Sequence, residues 1–277
     1  MRKYLVIGNP IAHSLSPLIH NYWMKEHRLI DSIYEKKKVE KKDLESIVEQ
    51  VRNDEIKGVN VTVPFKKEII PFLDRLDRVA LSTQSVNTLC KVKNEIWGYN
   101  TDAEGFDNSL TWNNIEYRNK NIFILGAGGV TSSIIHNLIF TANKIFITNR
   151  TKEKAEQLKK FSDLTGKKIE IIDWGQTPKT CDFVINTTSV GLKKDENLGL
   201  DFNDYENNKS VLFYDLIYNP EETNFLMGAK LRGNKTMNGK MMFLHQARIA
   251  FQIWTGVSAE INDKVIKLLD WWLELES

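Results

Sequence analysis

Short apolar runs alternate with longer amphipathic segments along almost the whole chain. Residues 4–7, 33–39 and 58–64 read as strands, and 122–125, 144–148, 169–172, 183–185 and 211–214 repeat the signature in the second half. Between them, residues 17–29, 41–52, 130–140 and 151–164 carry apolar side chains at helical spacing, as in Leu44, Ile47, Val48 and Val51. Two further helices, 240–255 and 258–274, close the chain. Strand–helix alternation predicts an α/β protein with parallel sheets. Residues 193–208 are polar and irregular and predict a surface loop. One α/β series gives way to the next near 102–120. There, Thr101-x-x-Glu104 has the spacing of a capping box, so a helix is expected to start at Asp102 and carry the chain onward.

Composition narrows this picture. The 277 residues are 42% apolar and 27% charged, which fits a globular protein and excludes a disordered tail, a fibrous repeat or a small disulfide scaffold. Lys plus Arg is 38 against 36 for Asp plus Glu, a formal charge of +2, with none of the basic excess of a nucleic-acid binder. The basic run 36–42 contains Glu40 and is followed by Asp43, and reads as a solvated edge. Cys90 and Cys181 are too few for a disulfide framework or a cysteine-rich zinc site, and fit a reducing compartment. No apolar run approaches the roughly 18 residues of a membrane span. The first apolar stretch is shorter than the roughly 7–15 residues of a signal peptide. The expected location is the cytoplasm. The histidines His13, His20, His27, His136 and His245 show no zinc spacing, so no metal is expected.

Candidate chemistry begins where the strand 122–125 runs into Gly126-Ala127-Gly128-Gly129 and a helix follows. Glycines at such a turn let backbone approach a pyrophosphate, and the helix N-terminus favours its charge. In this strand–turn–helix context dinucleotide binding is expected over a plain tight turn, although Thr131 stands where a third glycine would fall. About 20 residues on, an NAD site has an acidic residue for the ribose. Here the chain reads Thr148-Asn149-Arg150-Thr151, and Arg150 suits a 2′-phosphate, which points to NADP. Thr151 also reads as a helix N-cap.

In the first half, Val59, Val61 and Val63 should face a core while Asn60 and Thr62 face the other way. Lys66 follows the carboxyl end of that strand, where open α/β sheets place ligands. After the first strand, Ser14 and Ser16 in extended backbone would point the same way and offer two hydroxyls. Ser16 also reads as the N-cap of a helix whose first residue is Pro17. Asn87-Thr88 and Asn100-Thr101-Asp102 add short polar groups at element ends. Together these suit a small polyhydroxylated substrate. A lysine beside a carboxylate can pass a proton to or from a carbinol oxygen during hydride transfer.

These residues resemble those of the shikimate dehydrogenase family over nearly the whole chain. The motifs occur in the family's order: GNPIAHSLSPLIHN (8–21), GVNVTVPFK (58–66), SVNTL (85–89), GYNTD (98–102), ILGAGGV (124–130), TNRTKEKA (148–155), NTTSVG (186–191), YDLIYNP (214–220) and MNGKMMFLHQARIAFQIWTG (237–256). The resemblance implies an N-terminal α/β substrate domain with a parallel-rich sheet, residues 1–102 and 239–277, around a Rossmann-type NADP-binding domain, residues 103–238. It implies reversible NADPH-dependent reduction of 3-dehydroshikimate to shikimate, on the route to chorismate and the aromatic amino acids. Lys66 and Asp102 would be the catalytic pair. Ser14 and Ser16 would bind the substrate carboxylate with Thr62, and Asn60, Asn87, Tyr218 and Gln246 would add substrate contacts. Cofactor contacts would come from Gly126, Ala127, Gly128, Gly129, Val130, Asn149, Arg150, Thr151, Thr188, Leu216 and Gly239. The expected partners are a small-molecule substrate and no nucleic acid or membrane, with a monomer or homodimer as the assembly. Two alternatives stand beside this reading. One is a quinate/shikimate dehydrogenase with relaxed cofactor use, against which Arg150 speaks. The other is a catalytically silent ligand-sensing relative, against which the intact Lys66 and Asp102 speak.

Overall fold

The computed structural model describes every residue except Leu164, Thr165, Lys167, Lys168, Lys194, Asn207 and Ser277, and the backbone alone of Ser162, Asp163 and Glu276. The chain divides into two compact units, Met1–Phe106 with Leu244–Glu276, and Asp107–Phe243.

The first unit contains β1 (Arg2–Gly8), α1 (Ser16–Glu26), β2 (Ser32–Lys38), α2 (Leu44–Arg52), β3 (Gly58–Val61), β4 (Arg75–Leu76), α3 (Arg78–Thr83), β5 (Thr88–Val92), β6 (Glu95–Tyr99) and the start of α4 (Asp102–Trp112). Its sheet has the order β2-β1-β3-β5-β6-β4. Strands β2, β1 and β3 are parallel, but β5 runs antiparallel to both β3 and β6. The hairpin β5–β6 is the departure from the expected parallel series. It turns on Lys93-Asn94, with Lys93 in the left-handed region at φ 56°. Leu44, Ile47, Val48 and Val51 of α2 are all buried, as their spacing predicts, against Leu5, Ile7, Val59 and Val61. Val63, expected on that core face, is 64% exposed instead. The strand ends at Val61, and the Val63 carbonyl turns to accept from Asn9 N at 3.0 Å. The lysines Lys36, Lys37 and Lys38 lie exposed on the edge strand β2, a charged edge that discourages further strand pairing. A second packed layer is aromatic: His20 stacks on Tyr34 with centroids 4.3 Å apart, and Trp23, Phe251 and Trp254 surround them.

The second unit contains β7 (Asn121–Leu125), α5 (Gly129–Thr141), β8 (Lys144–Thr148), α6 (Lys152–Glu156), α7 (Lys160–Asp163), β9 (Ile169–Ile171), β10 (Phe183–Asn186), β11 (Leu212–Asp215), α8 (Asn224–Leu231), β12 (Lys235–Met237) and the start of α9 (Lys240–Thr255). All six strands are parallel, in the order β12-β11-β10-β7-β8-β9. This is a doubly wound sheet whose strand order reverses between β7 and β10, the point at which such sheets bind ligands. Ile122, Phe123, Ile124 and Leu125 are buried on both faces, which is why parallel strands read as unbroken apolar runs. The helix expected over 151–164 is broken by a 3-10 turn at Gln157–Lys159, and its expected end, Leu164, lies outside the described residues. The expected surface loop 193–208 is only partly one. Leu198, Phe202 and Tyr205 turn inward onto Phe213 and Phe225 and become core. The last helix, α10 (Asp263–Glu276), packs on α1 and starts later than its expected 258.

Candidate active site

In the first unit the polar strand ends converge on one ion pair. Lys66 Nζ lies 2.6 Å from Asp102 Oδ2, with side-chain exposures of only 15% and 7%. Asp102 opens α4, where the helix dipole favours a carboxylate. The α4 amides of Asp102 and Ala103 donate to Asn100 Oδ1 at 3.1 and 3.3 Å. So Asn100 caps the helix, while the Thr101 hydroxyl of the expected capping box accepts from Asn87 Nδ2 at 2.8 Å. Asn87 Nδ2 also donates to Asp102 Oδ1 at 2.8 Å, so both carboxylate oxygens are held. Lys66 is anchored by its backbone, whose carbonyl accepts from Val86 N at 2.8 Å. An ammonium has three protons. One goes to Asp102, which leaves others for an oxygen presented to the pair.

Asn60 braces this arrangement from below. Its Nδ2 donates to Asn87 O and Thr88 Oγ1 at 3.1 and 3.0 Å, and its Oδ1 accepts from Tyr34 OH at 2.6 Å. Thr88 Oγ1 donates to Asn87 Oδ1 at 3.1 Å, closing the ring of contacts. Tyr34 was not expected as a site residue, and Thr88 only as one of the short polar groups at element ends. Thr88 adjoins Asn87 in SVNTL, whereas Tyr34 carries no local signal. Ser14 and Ser16 do meet, with hydroxyls 3.2 Å apart, but through a turn at Leu15 (φ −94°, ψ 3°) and not in extended backbone. Helix α1 begins at Ser16 itself, so Leu15 and not Ser16 holds the N-cap position. Thr62 is half-buried beside β1, its amide donating to Ile7 O at 2.9 Å. Gln246 is half-buried on α9, close enough to α4 that a Cβ at Gly105 would stand 2.8 Å from its own Cβ. Tyr218 belongs to the second unit, stacked on Phe243 with centroids 4.3 Å apart.

In the second unit the site is built from backbone. Gly126 adopts φ 108°, which favours glycine, and a Cβ there would stand 2.6 Å from Thr187 Oγ1. Gly128 opens α5 with nothing within 4 Å of where its Cβ would be, so its backbone can be approached closely. The first amides of α5, at Gly129 and Val130, have no acceptor within the helix and point where an anion is favoured, with Ala127 in the turn before them. Beyond β8, Asn149 Nδ2 donates to Thr151 O at 2.7 Å and Arg150 is exposed. Thr151 holds the N-cap position of α6 without a side-chain cap bond. At the far side, a Cβ at Gly239 would collide with Leu216 O, and Gly239 N donates to Ile217 O at 3.0 Å. Thr188 is set by Asn186 Oδ1, which accepts from its amide and hydroxyl at 3.0 and 2.7 Å. Asn186 in turn donates to buried Asp215, which also accepts from Thr223 Oγ1 and Ile217 N. Asp215 was not expected here. Burial pushes its carboxyl up to about 6, with the three hydrogen bonds working in the opposite sense. The open space at Gly128 fits a dinucleotide lying against backbone, whereas Gly239 makes room for the Leu216 carbonyl. Among the described residues no cluster of three or more His, Cys, Asp or Glu is placed to hold a metal ion.

A buried lysine–carboxylate pair in one α/β unit and a doubly wound nucleotide-binding sheet in the other define a two-domain, Rossmann-type oxidoreductase. Residues 6–89 match the model of the shikimate dehydrogenase substrate binding domain, and residues 110–218 match shikimate / quinate 5-dehydrogenase. The chain belongs to the shikimate dehydrogenase family. A relative from Pelagibacter ubique named shikimate dehydrogenase (NADP(+)) is 48% identical over 270 residues, 97% of this chain and 99% of its own. A shikimate dehydrogenase solved in complex with NADP+ superposes with a TM-score of 0.89 at 31% identity, covering 100% of this chain and 96% of that one. The Thermus thermophilus enzyme, solved with NADP(H) and shikimate, gives 0.85 at 28% identity over 98% of both chains.

Proposed function

We propose that this protein catalyses the reversible NADPH-dependent reduction of 3-dehydroshikimate to shikimate, a step toward chorismate and the aromatic amino acids. The observation that carries the reading is the buried Lys66–Asp102 pair at 2.6 Å in a chain with this family's motifs throughout. When bound, NADPH supplies the hydride. Lys66 then gives a proton to the reduced oxygen, and takes it back in the oxidative direction. Asp102 holds Lys66 aimed through their 2.6 Å contact and accepts from a ring hydroxyl. Asn87 keeps Asp102 from rotating away. Ser14, Ser16 and Thr62 receive the substrate carboxylate, with Tyr218 and Gln246 adding substrate contacts. Asn60, expected as a further contact, has its amide protons spent on Asn87 and Thr88 and serves to hold Asn87.

The cofactor lies along Gly126, Ala127, Gly128, Gly129 and Val130. Asn149, Arg150 and Thr151 take the 2′-phosphate end, and Thr188, Leu216 and Gly239 the far end. Residues 1–102 with 239–277 form the substrate domain and 103–238 the NADP domain. The enzyme works in the cytoplasm as a monomer or homodimer. Among the described residues no helix is long and apolar enough to cross a membrane.

The test is an initial-rate assay with shikimate and quinate, each with NADP and NAD. Turnover of shikimate with NADP should far exceed the other three combinations. Comparable quinate turnover with NAD would overturn the specificity. Absence of any shikimate oxidation would overturn the activity.

A further inference from the structure

The glycine-rich turn lacks its third glycine, and the residue in its place is not passive. That glycine ordinarily lets the helix pack close to the strand. Here the position holds Thr131, which is 0% exposed. Its Oγ1 lies 3.0 Å from Gly128 N and 2.7 Å from Thr187 Oγ1, and Thr187 Oγ1 lies 2.8 Å from Leu125 O. Only one arrangement of protons satisfies all three contacts. Leu125 O is solely an acceptor, so Thr187 donates to it. Thr131 must then donate to Thr187, and its lone pair receives the Gly128 amide. The chain of hydroxyls therefore runs from the turn to the end of β7, across the point where strand order reverses between β7 and β10. The same Thr187 hydroxyl is what a Cβ at Gly126 would strike. Thr187 is itself fixed, its amide donating to Leu125 O at 2.9 Å.

We propose that Thr131 is a positioning residue for the cofactor turn: its hydroxyl latches the Gly128 amide and ties it through Thr187 to Leu125. The Gly128 amide is thereby withdrawn from the ligand. The amides of Gly129 and Val130 are left as the donors that meet the diphosphate. This inference rests on the cofactor reading above. It explains how a turn with one glycine fewer still presents a defined set of donors, because a hydroxyl bond to the backbone replaces close packing.

The experiment is amide hydrogen exchange at Gly128 in the cofactor-free protein, with fluorescence titration of NADPH, on wild type, Thr131→Val and Thr131→Ser. Gly128 should exchange slowly in wild type without cofactor. Thr131→Val keeps the shape and removes the hydroxyl. It should raise exchange at Gly128 and weaken NADPH about tenfold, the worth of one hydrogen bond, with the larger kinetic change in KM for NADPH. Thr131→Ser should restore both to within about twofold. Fast exchange at Gly128 in wild type would overturn the latch whatever the variants do. So would a Val variant that binds NADPH as wild type does, or a Ser variant no better than Val. Failure of wild type to bind NADPH would overturn the cofactor reading and leave the exchange result to judge the latch alone.

Discussion

The two units build their sites from different materials. In the first unit the working atoms belong to side chains, Lys66 and Asp102, held by Asn87 and indirectly by Thr88, Asn60 and Tyr34. In the second unit they belong mostly to backbone, at Gly129 and Val130, and side chains such as Thr131 and Asp215 serve to hold the backbone beside them. The difference follows from the task. Proton transfer needs a particular titratable group at a particular place, whereas a long anionic ligand needs close approach and many amides. A change of side-chain chemistry should therefore be felt most in the first unit, and a change of side-chain bulk most in the second.

The largest effect expected is that of Lys66→Ala. It should lower kcat by about 10² to 10⁴, the usual worth of a placed acid–base group, with a much smaller change in KM for shikimate. Steady-state kinetics in the oxidative direction checks this, and near-wild-type turnover would remove Lys66 from the chemistry. Next comes Arg150→Asp, a side chain where the second unit otherwise relies on backbone. It should weaken NADP about tenfold to a hundredfold while NAD changes little, since a phosphate partner becomes a like charge. Equal effects on both cofactors would assign the phosphate to another residue. Gly239→Ala adds one methyl group against Leu216 O. It should cost about 1–3 kcal/mol in denaturant unfolding, as overpacking does. An unchanged midpoint would show that the backbone there yields freely.

The last effect is confined to low pH, where acid stability has opposite sign in the two units. His20 is fully buried with both ring nitrogens unpartnered, and burial lowers its pKa to about 3. The unfolded chain takes up a proton near pH 6.5 that the folded chain refuses until about pH 3. Stability from this group therefore falls as pH drops through that window, by ~1.4 kcal/mol per pH unit. Asp215, pushed up to about 6, binds its proton more tightly when folded, so its contribution is lost as pH rises from the ordinary carboxylate range toward 6. His20→Phe should flatten the acid limb of unfolding free energy against pH by about one proton. An unchanged limb would mean that other groups set it.

What was legible in the chain follows the same division. The parallel strands β1, β7 and β8 showed themselves as unbroken apolar runs because both faces are buried. Lys66, Asp102 and Asn87 stood out by residue type at strand and helix ends. The hairpin β5–β6 did not, because Thr88, Lys91 and Glu95 interrupt its apolar positions. Residues 193–208 were hidden by their polar majority, although Leu198, Phe202 and Tyr205 complete a core. Tyr34 and Asp215 act through Asn60 and Asn186, 26 and 29 residues away, and no local pattern announces such contacts. The N-cap roles at Ser16 and Thr101 went to their neighbours, Leu15 by position and Asn100 by hydrogen bond, which residue preference alone could not distinguish.

The most direct measurement is a double-mutant cycle on kcat for shikimate oxidation, with Lys66→Ala, Asp102→Asn and the double variant. If the two residues act as one unit, the double variant loses about as much as Lys66→Ala alone. Losses that multiply would mean that Lys66 and Asp102 contribute independently, and that the pair at 2.6 Å is not the catalytic device.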